Sequence, residues 1–308
     1  MLLCLDYALY PGLARIGGDS PNTGDNGLWL RYWWYFGQRT GAEIVALARQ
    51  LQRDQIRDAY FHVRHIKADG TLAYHYPGQA RHLLRLLRRH APQVRAIAWV
   101  YAGNRRGEGE VDLTGDAVRR AMVDEALWLC RDCGFDGVQW DYEVCPDGDA
   151  GFLRLMQQTA AALPKGKLLS TAVPVWAPAP ISRRWGWSER YFSQIAATCD
   201  QLAVMCYDTG LAYPRAYVGF LRLQPRHILP AVQRGNPDCR VLFGLPTYKD
   251  GPPCHSPHAE RLSLAIKGVR EGLDAMGAQA GNCEGIALFA DYTTTPDDWE
   301  VYRRGWLR

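Results

Sequence analysis

Residues 134–144 read "GFDGVQWDYEV" and place Asp136, Gln139, Asp141 and Glu143 among strand-forming residues. Side chains alternate faces along a strand, so Gln139, Asp141 and Glu143 share one face while Val138, Trp140 and Tyr142 share the other. A buried strand normally sheds carboxylates, because an unpaired buried charge costs several kcal/mol. Two acids about 7 Å apart in repeat, with an amide beneath them, suit a different purpose. One acid, its pKa raised by burial and a like charge, can deliver a proton near neutral pH. The other can stay ionised and stabilise positive charge that develops beside it. Asp136 lies on the opposite parity at the start of the run, where a structural role is expected.

Such a pair needs a frame, and the rest of the chain alternates strand-like and helix-like segments. Strands are expected at 2–9, 57–66, 94–102, 135–144, 168–176, 201–208, 240–248 and 284–292. Amphipathic helices are expected at 41–54, 79–90, 116–133, 149–162, 188–198, 214–233 and 258–276, with a short one after the last strand. Eight strands each followed by a helix is the count of a (β/α)₈ barrel in a single domain spanning residues 1–308. A doubly wound open sheet shares the alternation, but no Gly-rich phosphate fingerprint follows the first strand. Polar and aromatic residues gather at the expected strand ends: Tyr7, His62, Arg64, Tyr101, Asn104, Trp176, Tyr207, Asp208, Tyr248 and Asp291. In α/β barrels that rim carries the active site.

Composition narrows the function classes. The chain has 308 residues, 47% of them hydrophobic, and a net charge of only +4, with arginines spread over expected helix faces rather than massed in a nucleic-acid footprint. No apolar run reaches the ~18 residues of a membrane span. The start "MLLCLDYALYPG" does not read as a signal peptide, which points to a cytoplasmic protein or a secreted one whose leader has been removed. Nine cysteines, with Cys4 and Cys206 inside apolar runs, suit packed thiols better than a disulfide framework. Cys130 and Cys133 form a CxxC without the further ligands a zinc site needs. His62 and His65, at i and i+3 on a strand, point to opposite faces, so no metal and no cofactor are expected.

The run "DGVQWDYE" resembles the strand-4 signature of the chitinase-like family 18 glycoside hydrolases, D-x-x-D-x-D-x-E. "MCYD" (205–208) resembles that family's strand-6 motif, "FGLPTY" (243–248) its strand-7 motif and "STAVP" (170–174) its strand-5 run. The resemblance implies a retaining, substrate-assisted hydrolase of a glycan containing N-acetylated hexosamine, in which the substrate's acetamido group is the nucleophile. It makes Glu143 the general acid and later the base, Asp141 the group that orients the acetamido N–H, and Tyr207 a donor to that acetamido group. Asp208, Gln139, Tyr101, Trp176, Tyr248 and Tyr7 are expected to contact the sugar. The partner is then an oligosaccharide or polysaccharide, with no nucleic acid or membrane involved, and a monomer is expected. A chitinase-like lectin barrel is the alternative, although such relatives usually lose the glutamate that Glu143 retains. A glycosidase with a direct carboxylate nucleophile is a third reading.

The sequence departs from the pattern in three places. Gln139 replaces the family's middle aspartate; an amide here can donate to Asp141 but cannot take up charge, and should hold Asp141 ionised. The third strand ends "WVYAGN", and the eighth ends "LFADY" without a tryptophan. Residues 10–40, expected as a long loop after the first strand, carry Trp29, Tyr32, Trp33, Trp34, Tyr35 and Phe36, either a sugar platform or a satellite core. Only about ten residues lie between the seventh strand and the next helix, too few for an insertion domain of the chitinase type.

Overall fold

A computed structural model describes residues 2–104, 110–183 and 185–308 of the chain. Eight parallel strands close into one barrel in the order of the sequence. They are β1 (Asn26–Leu30), β2 (Ile56–His65), β3 (Arg95–Gly103), β4 (Gly137–Glu143), β5 (Leu168–Pro174), β6 (Gln201–Met205), β7 (Arg240–Pro246) and β8 (Cys283–Phe289). Around them run α1 (Leu2–Leu13), α2 (Gly41–Arg53), α3 (Pro77–His90), α4 (Asp116–Trp128), α5 (Ala150–Ala162), α6 (Glu189–Ala196), α7 (Pro214–Gly235), α8 (Leu262–Asp274) and α9 (Pro296–Tyr302). Only residues 247–261 separate β7 from α8, and no insertion domain is present there. Among the described residues no helix is long and apolar enough to cross a membrane.

Four of the helices begin where a side chain satisfies free N–H groups. Thr40 and Glu43 form a capping box at α2, Thr295 and Asp298 another at α9, and Asp149 and Ser188 cap α5 and α6. The expected helix 116–133 is α4 extended by a π-turn at Leu129–Cys133, ended by Gly134 at φ 92°. Cys130 and Cys133 of the CxxC are buried thiols there, pushed up to about 11 and about 12 by burial, a structural role. The other described cysteines are likewise unpaired, and the Cys4 thiol lies outside the described side chains.

One expectation fails. Residues 2–9 form the first part of α1, and the first strand lies inside the segment expected to be a loop. A short apolar run cannot be assigned to strand or helix by periodicity alone. The spacing of the exposed Leu5, Leu9 and Leu13 is helical, whereas every residue of "NGLWL" is buried. β1 closes the barrel between β2 and β8, pairing Gly27 with Ala287 and Leu28 with Leu288. A Cβ on Gly27 would stand 2.9 Å from both Ala287 Cβ and the Tyr60 ring, so the closure needs glycine. Of the aromatic segment, Trp29 points into the barrel, Tyr35 is fully buried, and Phe36 packs on Tyr74 and Tyr76. Much of this segment is therefore core.

The barrel interior is filled by Trp29, Tyr60, Ile97, Trp99, Ala203, Leu242 and Ala287. Beneath them, at the N-terminal ends of the strands, Arg95 donates to Asp58 at 2.6 and 2.8 Å and to Glu284 at 2.8 Å. Gln201 donates to the same two carboxylates at 2.7 and 2.6 Å. Each buried charge in this plug has a hydrogen-bonded partner, the condition for holding ions inside a fold. The plug closes the bottom, leaving the opposite rim for chemistry.

Candidate active site

β4 carries Gln139, Asp141 and Glu143 up the inside of the barrel. Its register with β3 sets Trp99 beside Gln139, Tyr101 beside Asp141 and Gly103 beside Glu143. Above the interior layer lies a cleft of 330 Å³, lined by Trp29, Trp99, Tyr101, Asp141, Glu143, Tyr207, Asp208, Tyr248, Phe289 and Tyr292 among others. A second hollow of 600 Å³, reaching Val144, Val175 and Trp185, shares Glu143, Tyr207 and Asp208 with the first. The two hollows meet at Glu143, Tyr207 and Asp208.

Asp141 is 4% exposed. Its Oδ2 accepts a hydrogen bond from Trp99 Nε1 at 2.7 Å, while its Oδ1 is buried with no partner among the described residues. Burial raises its pKa to about 6, partly offset by the Trp99 bond. Glu143 is raised further, to about 8, first by the charge of Asp141, then by burial and by Asp208. A buried acceptor with no donor and a protonated acid thus share one cleft. The residue after Glu143 is clamped by Asn104, whose side-chain amide bonds both backbone groups of Val144.

Burial and the surrounding carboxylates hold the Tyr207 phenol well above its ordinary range, so it is a donor at neutral pH. Its ring stacks on Phe289 at 5.1 Å. Phe289, at the end of β8, also packs edge-on against Trp29, Trp99 and Tyr248, forming the cleft floor. Its position as the last aromatic of an apolar strand is the signal that marks it. Asp208 has φ 56°, which aspartate tolerates better than most residues, and its Oδ1 accepts from Tyr248 Oη at 2.6 Å.

The structure brings Glu143, Asp141, Tyr207, Asp208, Tyr101 and Tyr248 to one cleft and places three other expected residues elsewhere. Tyr7 stands on α1, stacked near Tyr213 and His258, because its segment is helix. The Trp176 ring turns outward and stacks on His227 of α7 at 3.6 Å. Gln139 is fully buried under the cleft, and it does not hold Asp141. Its Oε1 accepts from Trp29 Nε1 at 2.8 Å and its Nε2 donates to Ser170 Oγ at 3.0 Å. Trp99 takes the place expected for Gln139, and Asp141 is raised rather than depressed. Asp136 is structural as expected, accepting from the Ala96 backbone and pairing with Arg88.

His62 backs this arrangement. It is half-buried, stacks on Trp99 at 4.1 Å, and desolvation together with Arg64 depresses its pKa to about 3. Asp208, His255 and Glu260 bring potential ligand atoms within 4.8 Å of one another. Each is already committed to hydrogen bonds within the protein, so the trio reads as a support rather than a metal centre.

Gln139→Leu leaves the Trp29 N–H buried and unpaired, so it should destabilise the fold by about 1–3 kcal/mol in denaturant unfolding. Trp99→Phe removes the only described donor to Asp141. A hydrogen bond to a charged group is worth about 1.5–3 kcal/mol, so Asp141 should titrate about one to two units higher, measurable by carboxyl NMR.

No family model matches the chain. Among curated proteins, the probable endochitinase of Caenorhabditis elegans is 28% identical over an alignment 159 residues long that covers 44% of this chain and 25% of that protein. The chain therefore spans about a quarter of the length of that relative. Among solved structures, the Bacillus cereus spore cortex-lytic enzyme superposes over 94% of this chain and 75% of its own, with a TM-score of 0.63 at 13% identity. The GH18 chitinase of Cycas revoluta, solved with allosamidin, covers 91% of this chain and 99% of its own, with a TM-score of 0.62 at 14% identity. At such identities the likeness establishes the architecture.

Proposed function

We propose that this chain, a chitinase-like relative of the family 18 glycoside hydrolases in fold, cleaves glycans containing N-acetylated hexosamine by a retaining, substrate-assisted route. One observation carries the reading: Asp141 keeps a buried oxygen without a donor, in the same cleft as an acid that is protonated near neutrality. An acetamido N–H is a donor of the right kind for that oxygen. Held there, the acetamido carbonyl turns toward the anomeric carbon and attacks as the glycosidic C–O bond breaks.

Glu143 gives its proton to the departing oxygen, which leaves as an alcohol. The ring closes to an oxazolinium whose positive charge lies against ionised Asp141, and Tyr207 donates to the acetamido oxygen. Glu143, now a carboxylate, takes a proton from the incoming water, which opens the oxazolinium with overall retention. Asp208, Tyr101 and Tyr248 bind the sugar from the sides, and Phe289 supplies an apolar floor. The joined hollows give room for sugars on both sides of the bond.

The test is hydrolysis of N-acetylated oligosaccharides beside their deacetylated counterparts, with the product anomer followed by NMR. Cleavage confined to acetylated substrates, with retained configuration and inhibition by an oxazoline-type analogue, is the expected result. Inverted product, or equal rates on deacetylated sugars, would exclude acetamido participation.

A further inference from the structure

Behind Asp208 lies a buried unit that the reaction scheme leaves unused. Glu260 is 1% exposed, and its carboxylate accepts three hydrogen bonds from the turn after β6. They come from Asp208 N at 2.6 Å, Thr209 N at 2.8 Å and Thr209 Oγ1 at 2.7 Å. The His255 ring is 1% exposed in its side chain and lies 4.3 Å from the Tyr248 ring. Its Nδ1 stands 3.0 Å from Glu260 Oε2 and 3.2 Å from Asp208 Oδ1. Its Nε2 is buried with no partner among the described residues. Carboxylates accept, so the ring proton belongs at Nδ1, between the two acids. A Cβ on Gly251 would stand 2.7 Å from His255 Cβ and 2.8 Å from its ring carbon Cγ, so the β7–α8 loop is packed to hold the ring there.

We infer that His255 is a positioning residue whose Nδ1–H, shared by Asp208 and Glu260, holds the Asp208 carboxylate in place in the cleft it shares with Glu143. Two carboxylates this close repel each other, and without a donor between them the more weakly held one swings away. Glu260 is held by three other donors, against Tyr248 alone for Asp208, so Asp208 is the more weakly held of the two. This rests on the reading of Glu143 as the acid, because Asp208 reaches the chemistry through it. The charged neighbours of Glu143 are Asp141 on its own strand and Asp208 beyond β6, with Asp250 further along the cleft. Among the described residues, the phenols of Tyr101, Tyr207, Tyr248 and Tyr292 line the same cleft, and Cys145, Asp147 and Cys254 line the adjoining hollow. Asp208 itself meets Tyr248, His255 and Glu260.

The test needs no substrate, so its failure is distinct from failure of the proposed activity. Nitrogen NMR of wild type should show His255 protonated at Nδ1; an Nε2-protonated ring overturns the inference. Carbon NMR of labelled carboxyls, with Glu143 assigned through Glu143→Gln, should then be compared in two variants of similar polarity. In His255→Asn the amide nitrogen falls near the original Nδ1, and the Glu143 titration should stay in place. In His255→Gln the amide reaches toward the Nε2 side instead. With the Asp208 carboxylate turned away, the Glu143 midpoint should then fall by about one unit. Equal midpoints in the two variants would reduce His255 to a packing residue and overturn the proposal.

Discussion

Replacing Glu143 by glutamine should lower turnover on an N-acetylated oligosaccharide by about 10²–10⁴-fold, the usual worth of a positioned general acid. The amide keeps the shape of the side chain but has no proton to transfer to an alkoxide leaving group. Wild-type Glu143 holds that proton because ionised Asp141, burial and Asp208 all disfavour a second negative charge, which moves its midpoint to about 8. An aryl glycoside with a highly acidic phenol leaves without protonation, so its cleavage should fall far less in the variant. Binding, measured by calorimetry with a non-hydrolysed oligosaccharide, should change little. The contrast between leaving groups makes the test specific, since a misfolded or empty site would lose both substrates alike. An equal loss on both, or an unchanged rate on the natural linkage, would remove Glu143 from the role of acid.

The legible part of this site was the part written in one strand. Asp141 and Glu143 stood out because alternate acids in an otherwise buried run are energetically costly without a purpose, and Tyr207 and Asp208 because they end another buried run. β1 was not legible: five residues leave no periodic signal, and the more apolar run at 2–9 competed for its place. The support of Asp141 was illegible for another reason. Gln139 sits two residues away on the same strand face, yet its partners are Trp29 and Ser170, while Asp141 is held from β3 by Trp99. Only the closed barrel decides between these partners, because neighbours across an interior share a layer without sharing a sequence motif. His255 and Glu260 lie in a loop, where neither 2-residue nor 3.6-residue spacing carries information. A histidine and a glutamate between short polar turns, "HSPHAE", were the available hint.

Asp141→Asn should prove the more revealing variant, because it acts twice. The asparagine still fits beside Trp99, whose N–H can go to the amide oxygen, but the fixed negative charge beside the oxazolinium is gone. Losing one preorganised electrostatic partner costs about 10²–10³-fold in turnover. The second effect falls on pH. In wild type the two acids form a coupled pair with apparent midpoints at about 6 and about 8, and the active form carries one proton, on Glu143. Activity should therefore rise through pH 6, as the first proton leaves the pair, and fall through pH 8, as the second leaves. In the variant the acid limb has no carboxylate to report. The alkaline limb should move down toward the ordinary range of a glutamic acid, since the charge that mainly raised Glu143 is absent. Burial and Asp208 still act, so the midpoint stays above that range rather than reaching it. At neutral pH the variant thus loses both the stabilising charge and part of its protonated acid, and its optimum shifts to lower pH. A pH–rate profile in which the alkaline limb stays at about 8 would show that Asp141 does not set the acidity of Glu143. Asp141 would then matter only for holding the acetamido group, and the raised midpoint of Glu143 would have to come from burial and Asp208 alone.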